Sequence, residues 1–289
     1  MALARSTTIV LVTLAGFAVI FCMIFYAAGG PMGRWGQFYI WKLFSRKAHG
    51  GQHFQADGIN IYFETFGGGP PVLVLHGGLG SMMGMSYQIM ALSMSHLVIA
   101  VDSRGHGRST DDDVPLSYSL MSDDMVKVLD HLHIDQADVV GWSDGGIIGL
   151  DLAIRHPEHV RRLVAISANY DADGLDGGIS LLGKIPRTPL SYRFRSPDPA
   201  HWPILYRKVT TMWQTQPHYT LSDLSHIKAP TLVIAGERDT IKPQHTHQLA
   251  KAIPCSHEFI IAGTTHLVPI EKPEIINLKI LTFLNRSLP

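Results

Sequence analysis

The sequence predicts an α/β fold in which a mostly parallel sheet is flanked by helices on both faces. Three observations predict it. Short continuous apolar runs such as Val72–Leu75 and Leu97–Val101 recur along the chain and read as strands buried on both sides. Segments with apolar residues at helical spacing separate those runs. The two patterns alternate almost throughout, which is the signature of strand–helix–strand units wound in one sense.

Each element is dictated by its residues. HFQADGINIYFETFGGG reads as a β-hairpin around Asp57-Gly58, a pair that tolerates positive φ. Pro71–His76 is a buried strand, Ser86–Ser93 a helix, and His96–Asp102 a second buried strand. Ser119–Leu132 is an amphipathic helix with Leu120, Met125, Val128, Leu129 and Leu132 along one side. Ala137–Trp142 is a strand that passes through Ser143 into a helix ending near His156. Further strands are expected at Arg162–Ser167, Pro230–Gly236 and His257–Ile261. Helices are expected at Gln244–Ala252 and Pro273–Asn285, the latter with Pro in its first turn. One stretch breaks the rhythm: from Tyr170 to His226 no buried strand is visible, and Pro, Trp and Tyr are frequent. A connection that long in a compact domain is expected to be an insertion with its own role, such as a lid.

Ahead of this body lies different material. Thr7–Ala28 carries no charge and is long enough to cross a bilayer as a helix. A cleaved signal peptide competes with an uncleaved anchor, because Ala27-Ala28-Gly29 offers small residues to a peptidase. Gly33–Lys47 then mixes Trp35, Phe38, Tyr39 and Trp41 with Arg34, Lys42, Arg46 and Lys47, which suits a membrane–water interface. The expected organisation is an N-terminal transmembrane anchor or signal segment at 1–30, a basic and aromatic interfacial linker at 31–49, and the body at 50–289. The expected location is membrane-anchored by that single span, or secreted or periplasmic if the segment is removed.

Composition excludes several classes. Lys plus Arg equals Asp plus Glu at 24 each, and no basic run interleaved with aromatics occurs in the body, so no nucleic-acid partner is expected. The two cysteines, Cys22 and Cys255, lie far apart in the sequence and in dissimilar segments, so an intrachain disulfide is not expected. His245-Thr-His247 lacks a neighbouring Cys or carboxylate to complete a metal ligand set, so no metal is expected. Oligomeric state is left open.

In open α/β sheets ligands bind at the carboxyl ends of the strands, so the residues just beyond each strand form a functional census. His76 precedes Gly77-Gly78-Leu79-Gly80, and Asp102 precedes Ser103-Arg104-Gly105-His106. Trp142 precedes Ser143, Gly236 precedes Glu237-Arg238-Asp239, and the strand ending near Ile261 leads to His266. A serine hydroxyl becomes a useful nucleophile when an imidazole takes its proton and a carboxylate orients the imidazole. Glycine-rich backbone can bring N–H donors close to a developing oxyanion. Glu237 competes with Asp239 for the acid, and His257 competes with His266 for the base, although His257 opens a strand. Ser143 has a plainer reading as a helix N-cap, and Asp144 as an acid favoured at a helix N-terminus. Arg104 and His106 read as loop supports, and Asp111-Asp112-Asp113 as a solvated loop.

Gly141-Trp-Ser143-Asp-Gly145 resembles the nucleophile elbow of the α/β-hydrolase superfamily, and the chain order Ser, Asp, His is that superfamily's order. The resemblance covers about residues 50–289 and includes His76-Gly-Gly78, the DSRGHGRS segment at 102–109 and GERD at 236–239. Gly-Trp-Ser-Asp-Gly-Gly is similar to valacyclovir-hydrolase-like and other small-ester or lactone hydrolases. The resemblance implies an α/β-hydrolase fold with a short cap at about 170–226. It also implies Ser143 as nucleophile, His266 as base and Asp239 as orienting acid. The oxyanion hole it implies is formed by the backbone N–H groups of Gly78 and Asp144, with Leu79 a further contributor. The expected function is hydrolysis of a small-molecule carboxylic ester or lactone through an acyl-enzyme, with no metal or organic cofactor. Two other readings share these residues: a ligand-sensing receptor with slow turnover, and a carbon–carbon hydrolase or perhydrolase. Substrate-binding side chains are not assigned by the sequence.

Overall fold

The structure is a computed structural model that describes residues 30–176 and 187–285. The chain divides into a unit at 1–48 and a unit at 49–289. In the first, helix α1 (Gly30–Phe44) runs for 15 residues, with Phe38 stacked on Trp41 at 5.7 Å between ring centroids. Among the described residues no helix is long and apolar enough to cross a membrane. The expected N-terminal transmembrane helix, the membrane partner and the membrane-anchored location are therefore corrected. The described helix of this unit, α1, spans about 22 Å at 1.5 Å per residue, short of a bilayer core about 30 Å thick, and falls in the expected linker. The Thr7–Ala28 run itself lies outside the described residues.

In the second unit, strands β1 (Ala48–Ala56), β2 (Ile59–Gly67), β3 (Pro71–Leu75), β4 (Leu97–Asp102), β5 (Ala137–Trp142), β6 (Val160–Ile166), β7 (Thr231–Arg238) and β8 (Ser256–Thr265) form one sheet. Its order is β1-β2-β4-β3-β5-β6-β7-β8. The β1–β2 turn has positive φ at Asp57 and at Gly58, as a tight hairpin requires. β2 is antiparallel to β4, and every pairing from β4 across to β8 is parallel. Residues of both parities on the central strands, Val72, Leu73, Val74, Leu75, Val139 and Val140 among them, are buried. Both faces are thus covered, as the continuous apolar runs imply.

The covering helices are α2 (Ser86–Leu92), α3 (Tyr118–His131), α4 (Asp144–Arg155), α8 (Pro243–Ala252), α9 (Val268–Glu271) and α10 (Pro273–Leu284). α2 packs with α9 and α10, while α3 packs with α4. Ser117 caps α3 by accepting the Leu120 N–H at 3.1 Å. β8 runs four residues past the expected Ile261. Its pairing with β7 continues across an irregularity at Gly236/Arg238 to Arg238↔Thr265, which delivers His266 directly at the strand end.

Between β6 and β7 lies the segment expected to form the cap, called the cap below. It contains α5 (Leu190–Arg195), α6 (Trp202–Thr215) and α7 (Leu221–Ser225), and its described part has no strand of the main sheet. α6 buries Trp202, Leu205, Tyr206, Val209 and Met212, a spacing of three and four that places one apolar stripe inward.

Candidate active site

Parallel register brings the strand ends to one edge. Leu75 is opposite Val101 and Gly141, Trp142 is opposite Ile166, and Ile166 is opposite Ile234. His76, Ser103, Ser143 and Ser167 therefore leave the sheet side by side.

Ser143 turns from β5 into α4 with φ 55° and ψ −120°. A non-glycine residue held there costs on the order of 1–3 kcal/mol, a strain typical of functional sites. The surrounding glycines make the turn possible: a Cβ on Gly141 would run into the Gly145 carbonyl, and one on Gly145 into the Leu75 carbonyl. The Ser143 hydroxyl makes no capping bond to α4. It lies 2.9 Å from His266 Nε2 instead. The N-cap reading of this serine is thereby set aside.

On its other side, His266 Nδ1 is 2.7 Å from Asp239 Oδ1. Burial raises the Asp239 carboxyl. Hydrogen bonding and charge from His266, together with donors Ser167 and Ile241, outweigh burial and hold it below the usual carboxylate range. An ionised carboxylate only accepts, so Nδ1 carries the imidazole proton and Nε2 is the acceptor for the serine hydroxyl. Asp239 is fully engaged, since Oδ2 accepts from Ser167 Oγ at 2.6 Å and Oδ1 accepts from the Ile241 N–H at 3.1 Å. The competitors lie elsewhere: Glu237 is exposed and accepts the Gly263 N–H, and exposed His257 sits near the opposite end of β8.

Gly78 and Asp144 face each other beside Ser143. The Asp144 amide opens α4, where no carbonyl of the preceding turn is available to it. A Cβ on Gly78 would meet the Asp144 carboxylate and would lie 2.6 Å from Trp213 Cζ2, so glycine is required by contact. Leu79 behaves differently from expectation: its N–H donates to His106 Nε2 at 3.0 Å and is occupied. The loop is braced from behind by two buried histidines. His76 Nε2 accepts the Ser103 N–H, and its Nδ1 donates to the Gly77 carbonyl. His106 Nδ1 donates to the Arg104 carbonyl. Burial pushes each imidazole down to about 4, so both are neutral at pH 7.

Arg104 supports structure, as expected, through a bidentate bond to buried Asp124 at 2.7 and 2.8 Å. Asp111 differs from the solvated-loop reading. Its side chain is 1% exposed and accepts from cap residues His201 and Lys208, each at 2.9 Å. The Asp144 carboxylate also differs, because it is buried and accepts from Tyr118 and Trp213. Burial lifts it to about 6 despite those donors.

Sequence reasoning missed three participants. Ser167 ends β6 at the same edge, and a complete census of strand ends would have found it. Trp142 Nε1 donates to the His266 carbonyl at 2.9 Å, and Trp213 reaches Asp144 from the cap; neither has a local sequence signal. A cavity of ≈ 270 Å³ opens over Ser143 and His266, with Tyr118, Asp144, Trp213 and Ile241 among its walls. Among the described residues no group of three or more His, Cys, Asp or Glu side chains gathers as a metal site. The arrangement can pass a proton from a hydroxyl to an imidazole at the wall of a cavity.

Known proteins of similar sequence and structure share this architecture. The family model described as alpha/beta hydrolase fold matches residues 70–182. A protein named "Putative carbamate hydrolase RutD" from Azorhizobium caulinodans is 30% identical over 266 residues, covering 82% of this chain and 97% of that one. The structure of Est816, described as an N-acyl homoserine lactone degrading enzyme, matches with a TM-score of 0.68 at 27% identity, over 80% of this chain and 100% of that chain. A meta-cleavage product hydrolase from Pseudomonas fluorescens IP01 matches with a TM-score of 0.68 at 21% identity, over 81% of this chain and 97% of that chain, and shares the fold.

Proposed function

The chain belongs to the α/β-hydrolase superfamily and is a hydrolase, and from that premise we propose that it is a serine hydrolase cleaving carboxylic esters or lactones. The observation that carries the proposal is the unbroken hydrogen-bond path from Asp239 through His266 to Ser143 at the floor of the cavity.

Ser143 Oγ attacks the carbonyl carbon while His266 Nε2 takes the hydroxyl proton. The carbonyl oxygen becomes an oxyanion facing the Gly78 and Asp144 amides. The tetrahedral species collapses as His266 returns the proton to the leaving alcohol, and the acyl group stays on Ser143. A water then gives its proton to His266 and its oxygen to the acyl carbon, which frees the acid and restores the serine. Asp239 stays ionised and stabilises the imidazolium in both halves.

The walls favour an uncharged substrate. Among the described residues the cavity lining contains Asp144 and Asp176 and no Lys or Arg. Beside those two acids a substrate bearing a carboxylate would meet repulsion, which disfavours anionic carbamates and acid-bearing carbon–carbon cleavage substrates.

The test is turnover of neutral acyl esters and lactones of varied ring size, beside labelling with a fluorophosphonate. We expect steady multiple turnover, label on Ser143, and loss of both in Ser143→Ala, a fall of about 10⁴ or more in kcat. Wild-type rates in Ser143→Ala would refute the assignment, and a single burst without steady turnover would favour the ligand-sensing reading.

A further inference from the structure

We infer that Trp213, a residue of the cap, positions both walls of the oxyanion hole, so that the cap governs stabilisation of the transition state as well as entry of substrate. The inference rests on the serine-hydrolase reading, which assigns the Gly78 and Asp144 amides to that hole.

Trp213 lies in the last turn of α6, and its indole makes two kinds of contact at once. Its Nε1–H is shared by both oxygens of the Asp144 carboxylate, at 2.8 Å to Oδ1 and 2.9 Å to Oδ2. Its Cζ2 lies so close to Gly78 that a Cβ there would be only 2.6 Å away. The residues carrying the two amides are therefore tied to one rigid ring. Tyr118 also donates to Asp144 Oδ1, at 3.1 Å, but it belongs to α3 and does not reach across to the glycine loop.

The back of that loop is already fixed by His76 and His106, and the back of Asp144 by α4 itself. The front is where Trp213 sits, between the two amides' own residues and the cavity it lines. A buried carboxylate needs its donors, so the indole cannot withdraw without leaving Asp144 with Tyr118 alone. Movement of α6 would thus be felt at Asp144 and at Gly78 together. Oxyanion donors act through placement to within a few tenths of an ångström, and losing one such donor outright lowers kcat by about 10²–10³. Misplacing both while keeping them present should cost less, on the order of tenfold.

Trp213→Phe tests this, because phenylalanine keeps an aromatic ring in the cap but removes both the N–H and the Cζ2 atom that lies against Gly78. Two quantities separate positioning from simple wall-building: the split between kcat and KM for a neutral ester, and the affinity of a trifluoromethyl ketone. In forming that adduct Ser143 Oγ bonds to the ketone carbon, the hydroxyl proton passes to His266, and the carbonyl oxygen becomes an oxyanion in the hole. We expect kcat to fall about tenfold, ketone affinity to fall by a similar factor, and KM to change less than about twofold. Asp144→Leu, which removes both acceptor oxygens of that side chain but retains the backbone N–H, should weaken the same two quantities and serves if Trp213→Phe does not fold. A raised KM with kcat and ketone affinity unchanged in either variant would overturn the inference and leave the indole as a wall only. Fluorophosphonate labelling of the wild type separates the levels. Label on Ser143 together with unaltered variants sinks this inference alone, whereas no label removes its premise as well.

Discussion

The sheet edge and the cap over it are held by different means. At the edge, buried strands β5 and β7 and the outermost strand β8 carry Ser143, Asp239 and His266 forward on short turns, so their relative positions are set by backbone register. The cap buries one apolar stripe of α6 but is fastened at its rim by polar side chains. Lys208 and His201 reach Asp111, Tyr219 reaches buried Asp151 at 2.6 Å, and Trp213 reaches Asp144. The difference teaches where each kind of restraint lies: Ser143, Asp239 and His266 are held by strand register, while the cavity wall at Trp213 is held by separate side-chain bonds.

The largest expected effect probes the edge. Asp239→Asn should lower kcat by about 10³–10⁴, because an amide can present a donor to Nδ1 and favour the wrong imidazole tautomer. Glu237→Gln, close by in the sequence, should stay within about twofold of wild type, since that side chain faces solvent and the Gly263 amide. Steady-state kinetics on a neutral ester measure both. Equal losses would show that the acid has been misassigned and that the edge is less sharply defined than register implies.

A middle-sized effect probes the loop between edge and cap. His76 and His106 are held near 4 by burial, below the ordinary histidine value of 6.5, so the unfolded chain binds more protons than the fold between those limits. Their contribution is complete above pH 6.5 and is lost as pH falls toward 4. At pH 5 the loss is at most about 2 kcal/mol per histidine. Asp144, lifted to about 6 by burial, works in the opposite direction and gains as pH falls. The wild-type curve is the sum, so the contrast with His106→Asn isolates the histidine part. Denaturant melts at pH 7.5 and pH 5 should show a flatter dependence in the variant, and parallel curves would refute the account.

The smallest effect probes the cap's fastening. Lys208→Met removes the ammonium partner of the buried Asp111 side chain, leaving His201 as its other hydrogen-bond partner, and should loosen α6 by about 1–2 kcal/mol. Hydrogen exchange would report this as roughly tenfold faster exchange of α6 amides with unchanged protection in β3–β7. Equal loss in the strands would mean that cap and sheet open as one unit.

Legibility in the sequence divides along the same line. Strands β3 to β7 are readable because burial on both faces demands unbroken apolar runs, and the Ser143 and Asp239 positions because each lies just beyond such a run, whereas β8 is largely exposed and its last four residues before His266 carry no apolar run. The Ser143 elbow is readable because only a glycine-rich sequence can make so tight a turn. Trp213 is not, because its partner Asp144 is 69 residues away and no periodicity links an α6 indole to a helix N-terminus. Asp111 reads as solvated because three adjacent acids carry no mark of the lysine and histidine, about ninety residues on, that fold over one of them. The expectation for the first thirty residues rests on hydropathy alone and draws on nothing in the body of the fold.

Ser167 holds φ at 50°, a left-handed conformation that L-residues other than Asn and Asp seldom adopt. Glycine would relax there by roughly 1 kcal/mol, yet it would take away the hydroxyl that steadies Asp239. The hydroxyl's bond to a buried carboxylate is worth roughly 1.5–3 kcal/mol, which outweighs that relief, so the strained serine contributes to stability as well. A laboratory lineage selected only for survival at high temperature would therefore keep this codon, although nothing in the selection asked for turnover.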